Sequence, residues 1–212
     1  MKIVASLTDP EDARRAEEEG AEVLELRLDL VEGDHAERAT RTRTSSTLPI
    51  IGTLRSASEG GRYFGNPEEW ITRIRPVIRF FDYIDIEQRY AKNAAEVRAA
   101  GRKVIASFHT PEMPDLVTLY QIERELRSFG DIVKMIVTPR NEEDVIELIA
   151  FTHSIRQPIC TGVMGEEFRY ARAVLPLFGS ELVYCHTGTP TAAGQYSVPE
   201  FRKILTLLGR QI

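Results

Sequence analysis

One lysine stands inside an apolar run. Asp131-Ile132-Val133-Lys134-Met135-Ile136-Val137-Thr138-Pro139 is rich in β-branched residues and closed by Thr-Pro, so it reads as a buried strand. Alternation puts Ile132, Lys134 and Ile136 on one face and Val133, Met135 and Val137 on the other. An unpaired ammonium in such surroundings is costly, and the group escapes by shedding its proton, which leaves a nucleophilic amine. A lysine snorkelling from a strand end to water would account for the same residue without chemistry. What separates the two is the company that other strands supply.

Three other runs supply it. In Glu25-Leu26-Arg27-Leu28-Asp29 the charges share one face and the leucines the other. If the leucines pack on helices, Glu25, Arg27 and Asp29 point inward, where charges persist only when paired or used. A solvated edge strand would show the same alternation. The same parity groups Ile51, Thr53 and Arg55, and Ile105, Ser107 and His109, with Arg55 and His109 at the carboxyl ends. A lone histidine can equally be a core residue satisfied by a carbonyl, and His186, closing a later run, is the reserve candidate. A buried lysine, a histidine and inward arginines suit a small anionic carbonyl compound. Lysine condenses with the ketone to an iminium, which acidifies the neighbouring C–H. Histidine removes that proton and later protonates a departing hydroxyl, while arginines hold a carboxylate. Aldol cleavage and β-elimination of water both fit.

Such residues need strands that deliver their carboxyl ends to one place. The chain repeats a unit of short apolar strand, polar turn and amphipathic helix. Strands are predicted over 2–7, 23–30, 49–55, 83–87, 103–109, 131–139, 158–163 and 182–186. Helices are predicted from Asp9-Pro10-Glu11 to Gly20, over 34–47, from Asn66-Pro67-Glu68 to Phe80, over 93–100 and 115–129, from Asn141 to His153, over 166–178, and from Ser197 to Leu208. Gly20, Gly101, Gly130 and Gly179 stand where left-handed C-caps belong. Eight strand–helix units in 212 residues is the count of a (β/α)8 TIM barrel, expected to form one catalytic domain over 1–212. A doubly wound open sheet is the rival, but its Gly-rich first turn has no counterpart in Leu7-Thr8-Asp9-Pro10.

Loops follow these strand ends. Residues 56–65 are long and glycine-hinged, as a lid would be, and Thr187–Gln195 is rich in small residues whose amides and hydroxyls can meet oxygens. Met164-Gly165-Glu166-Glu167 leads toward Arg169 and Arg172, which alone read as surface charges. A net charge of -5 argues against a general nucleic-acid or anionic-membrane binder. The N-terminus lacks the apolar length of a signal peptide, and a cytoplasmic enzyme is expected. Cys160 and Cys185 read as buried thiols, and His35, His109, His153 and His186 show no metal-type spacing, so no metal is expected.

In order along the chain, Glu25–Asp29, Thr53-Leu54-Arg55 with Glu59-Gly60-Gly61, Asp85-Ile86-Glu87, Ser107-Phe108-His109, Val133-Lys134, Met164 with Arg172, and Ala193-Gly194-Gln195 together resemble type I 3-dehydroquinate dehydratase over essentially the whole length. The resemblance implies a metal- and cofactor-free TIM-barrel lyase of the shikimate pathway, often a homodimer, acting on a small-molecule substrate. It implies that Lys134 forms a Schiff base with the C3 ketone of 3-dehydroquinate and that His109 moves the C2 proton. Glu59 would orient His109 or substrate. Glu25, Arg27, Arg55 and Ser6 would bind substrate hydroxyls, Arg172, Thr191 and Gln195 the carboxylate end, and Met164 would line the pocket. This chain departs from relatives at Thr191, often serine, at the short Thr110-Pro111 segment after His109, and at Ala171, where serine often stands. A class I Schiff-base aldolase is the rival enzyme, and a non-catalytic barrel binding a small carboxylate is the rival of another kind.

Overall fold

The structure, a computed structural model, describes residues 1–210. Eight parallel strands lie side by side in chain order: β1 (Lys2–Leu7), β2 (Val23–Arg27), β3 (Ile50–Thr53), β4 (Tyr83–Glu87), β5 (Lys103–His109), β6 (Ile132–Val137), β7 (Ile159–Val163) and β8 (Leu182–His186). β8 returns to pair with β1, from Lys2 opposite Leu182 to Ser6 opposite His186. Between the strands run α1 (Asp12–Glu19), α2 (His35–Ser45), α3 (Pro67–Ile74), α4 (Ala94–Ala99), α5 (Leu116–Arg127), α6 (Glu142–Ser154) and α7 (Ala171–Val174), with α8 (Val198–Leu207) last. This is the expected (β/α)8 barrel. The ring is laddered everywhere except between β7 and β8. There a single bridge, Ile159 to Ser180, forms the seam, and the Ser180 hydroxyl accepts from the Thr161 amide at 3.0 Å. The barrel therefore closes with a side chain doing part of the work.

Several boundaries move for identifiable reasons. The second strand ends at Arg27, not Leu30, because after a last cross-strand bond from Leu28 N–H to Thr53 O the chain turns, Leu30 and Val31 donating back to Arg27 O. The helix expected to reach Phe80 stops at Ile74, ahead of Pro76, and resumes as a 3₁₀ turn at Ile78–Phe80. The helix expected over 166–178 begins only at Ala171, after turns over 167–170, and gives way after Val174 to a 3₁₀ turn at Leu175–Phe178, where Pro176 has no N–H to continue it. Gly130 is not a left-handed cap. Its φ is not positive, and a Cβ there would lie 2.4 Å from that of Ala106, so close approach to β5 is what requires glycine. The Thr- and Arg-rich stretch does fold as α2, capped by Asp34 accepting from the Glu37 amide at 2.9 Å. Its Arg43 is clamped onto Phe80 O and Asp82.

The outward faces of the strands pack against the helices in one large apolar core. The inward faces are layered. At the amino ends Val4, Val23, Ile51, Ile105, Cys160 and Leu182, joined by Tyr83 and Ile132, form an apolar plug. Two residues further along each strand the inward positions become Ser6, Glu25, Thr53, Asp85, Ser107, Lys134, Gly162 and Tyr184. Two further again stand Arg27, Arg55, Glu87, His109, Ile136, Met164 and His186. Barrel interiors are usually filled by branched apolar layers. Here only the floor is, and the polar layers above it face the carboxyl-end loops.

Candidate active site

Lys134 is 4% exposed, yet it is not the unpaired ammonium that its isoleucine neighbours imply. Its Nζ lies 3.1 Å from Asp85 Oδ2, 3.8 Å from Glu25 Oε1 and 3.9 Å from the centroid of the Tyr184 ring. Each partner is held in turn. Glu25 accepts from the Ser6 hydroxyl at 2.7 Å and from the Thr53 hydroxyl at 2.8 Å. Asp85 accepts from Ser107 Oγ at 2.5 Å and from Arg55 Nη2 at 2.8 Å. Burial alone would push the Asp85 carboxyl up, but the Arg55 and Lys134 cations beside it hold it below the ordinary range.

Arg55 joins this centre to the loop above. Its Nη1 reaches Glu87 at 3.1 Å and Glu59 at 3.4 Å. Glu87 also accepts from the Ser56 amide at 2.7 Å, and Asp29 accepts from the Arg55 and Arg62 amides at 3.3 and 3.1 Å. The loop read as a lid is thus fastened at both ends, with Tyr63 N and O hydrogen-bonded to Arg55 O and Ala57 N across its neck. Gly60 makes its turn with a φ of 81°.

That fastening delivers Glu59 to His109. Glu59 Oε2 lies 2.9 Å from His109 Nδ1 and accepts from the His109 backbone N–H at 3.0 Å. An oxygen receiving the backbone N–H and an Arg55 N–H is an acceptor, so Nδ1 carries the hydrogen it shares and Nε2 is left as the basic nitrogen. Glu59 thus touches His109 at both its ring and its backbone. Burial, followed by the charges of Arg55, Lys134 and Arg27, holds the His109 imidazole well below its usual pKa. Burial also raises Glu59, to about 8, with Arg55 opposing and Glu87 and Asp85 adding to the rise. Near neutrality the pair is a neutral hydrogen bond, any proton on Glu59 sitting on Oε1.

Stability should follow from this. The folded chain holds the Glu59 proton where the unfolded chain, with an ordinary carboxyl near 4.5, has lost it. The stabilisation is complete below that value and is lost as pH rises through about 8. Relative to Glu59→Gln, the melting temperature of the native chain should fall between pH 5 and 8 and level off above; parallel curves would contradict it.

The other wall comes from β7 and β8. Gly194, at φ 72°, lies so close to Gly165 O that a Cβ would be 2.2 Å from it, and this contact seats the last loop beside Met164. Gln195 is buried, its Oε1 accepting from the Thr191 amide at 2.9 Å and hydroxyl at 3.1 Å. Arg172 donates to Ala193 O at 3.1 Å, and its buried Nε has no partner. Arg27 is paired with Asp29 at 2.8 Å, so among the described residues Arg172 is the cation of this wall without a carboxylate.

A cavity of about 130 Å³ lies between these walls, room for one compact small molecule. It is lined by Lys134, His109, Glu59, Glu25, Arg27, Arg55, Arg172, Thr191, Gln195, Met164 and Ser6, so every site residue expected from the sequence reaches it. His186 does not line it, and its buried Nδ1 has no partner. Sequence reasoning gave no role to Asp85, Glu87 or Tyr184. The parity that found Lys134 was available for Tyr83-Asp85-Glu87, whereas a tyrosine inside Leu182-Val183-Tyr184-Cys185 carries no signal beyond core packing.

A (β/α)8 barrel that gathers a buried lysine and a histidine in one small cavity at its carboxyl end has the architecture of an enzyme. A family model described as type I 3-dehydroquinase matches residues 6–212, and the chain belongs to that family. A curated relative from Methanoregula boonei, named 3-dehydroquinate dehydratase, is 59% identical over 98% of this chain and 100% of its own. A solved 3-dehydroquinate dehydratase from Geobacillus kaustophilus is 26% identical, with a TM-score of 0.89 over 98% of this chain and 91% of that one. Another from Aquifex aeolicus is also 26% identical, with a TM-score of 0.86 over the full length of both chains.

Proposed function

We propose that the chain dehydrates 3-dehydroquinate to 3-dehydroshikimate through a Schiff base on Lys134, with His109 as base and then acid. Its class is that of a hydro-lyase. The observation that carries the mechanism is that Lys134, fixed between two carboxylates, lines the same small cavity as His109, whose Nδ1 is taken up by Glu59.

The steps balance on these residues. The Nζ lone pair, freed when the ammonium passes a proton to a neighbouring base, attacks the C3 carbonyl carbon. The carbonyl oxygen leaves as water, giving an iminium with one N–H. His109 Nε2 takes the C2 proton, and the C–H electrons flow into the iminium to give an enamine. The enamine expels the C1 hydroxyl, protonated by His109, as water. Hydrolysis of the resulting conjugated iminium returns the lysine and releases the enone. Glu59 keeps Nδ1 engaged and the ring oriented throughout. Arg172 and Gln195 meet the carboxylate, and Glu25, Arg27 and Ser6 the hydroxyls.

Arg172→Gln should raise KM by roughly 10- to 100-fold with a smaller change in kcat, the loss of one charge-assisted fork to the substrate carboxylate. Steady-state kinetics checks it; an unchanged KM would remove Arg172 from that role. The reaction itself is tested by following the ultraviolet absorbance of the conjugated enone on mixing with 3-dehydroquinate. Growth supports dehydration over the aldolase reading, and its absence at high enzyme concentration would sink it.

A further inference from the structure

We propose that the face of the Tyr184 ring carries the positive charge of the Lys134 nitrogen through the reaction, making Tyr184 a positioning residue for the reacting atom. This rests on the Schiff-base reading above. Tyr184 comes from β8 and Lys134 from β6, and the strand between them offers glycine, Gly162, at the inward position between the two side chains. Across that strand Nζ sits 3.9 Å above the Tyr184 ring centroid, inside the range in which a cation is drawn to an aromatic face.

The chemistry of the nitrogen makes this contact different from the others. As an ammonium, Nζ has three hydrogens to share between Asp85 and Glu25. As an iminium it has one, enough to keep the 3.1 Å bond to Asp85 but leaving none for Glu25, just when the nitrogen must hold its charge to draw electrons from C2. Attraction to a ring face needs no hydrogen and survives the change. What Tyr184 presents to Nζ is the face of its ring, since the 3.9 Å separation is to the ring centroid.

The test is the initial rate of borohydride-trapped adduct on Lys134, together with kcat and KM, for the native chain, Tyr184→Phe, Tyr184→Leu, and chains with mono-, di- and pentafluorinated phenylalanine at 184. The proposal expects Tyr184→Phe to retain activity and melt no lower. It expects Tyr184→Leu to lose roughly 10- to 30-fold in trapping and kcat with KM little changed. The fluorinated rings, nearly equal in size, should fall progressively as their faces become less negative, a grading that a packing role would not produce. Equal rates across that series, a Tyr184→Leu chain within about twofold of native, or a Tyr184→Phe chain as impaired as Tyr184→Leu would each overturn it. Should Tyr184→Leu fail to fold, the fluorinated series decides alone. An absent adduct in the native chain would overturn the Schiff-base reading instead, and this proposal with it.

Discussion

Lys134→Met should lower kcat by on the order of 10⁴-fold or more, because no other amine lining the cavity can replace the covalent step. Methionine is chosen to match the length of the lysine stem without its charge. The change leaves Asp85 with Arg55 and Ser107, and Glu25 with Ser6 and Thr53, so each carboxylate keeps hydrogen bonds. Some stability is lost all the same, since breaking a buried pair leaves charge uncompensated. A melting curve that remains cooperative, alongside retained binding of 3-dehydroquinate by calorimetry, separates lost chemistry from lost fold. Turnover within tenfold of native would show that the reaction does not pass through this nitrogen.

His109→Ala should lose roughly 10²-fold or more in kcat while still forming the Schiff base, since the imidazole acts after condensation. The accumulated iminium should be trapped by borohydride at least as fully as in the native chain. The pH profile offers an independent check. Because burial and the neighbouring cations hold the imidazole well below 6.5, the basic form persists into acid, and the acidic limb of kcat/KM assigned to His109 should lie below pH 6.5. A limb centred at or above 6.5, or a His109→Ala chain with near-native turnover, would take His109 out of the proton transfer. His186 offers no substitute, as it stands outside the cavity wall.

Much of this site was legible because a strand leaves little freedom. Side chains alternate, so charges at every second residue between leucines or isoleucines must share one face, and a parallel barrel turns all such faces inward. That reasoning alone placed Glu25, Arg27, Arg55, His109 and Lys134 together. The partners were harder. Whether Lys134 is bare or clamped depends on Asp85, two strands away in the barrel, and on Tyr184 from the far side of Gly162. No local spacing encodes either contact. Glycine misled at Gly130, read as a left-handed cap, where the proximity of Ala106 makes it a matter of fit. Helix lengths failed at Pro76 and Pro176, where the apolar pattern continues although the hydrogen-bond ladder cannot.

Membership of the type I 3-dehydroquinase family and the barrel itself leave the covalent step as the claim to be tested most directly. The measurement is borohydride reduction in the presence of 3-dehydroquinate, followed by proteolysis and mass analysis of the modified peptide. The mechanism predicts one stable adduct, on Lys134, dependent on substrate and missing from Lys134→Met. An unmodified chain that still turns over substrate, or an adduct on any other lysine, would contradict it.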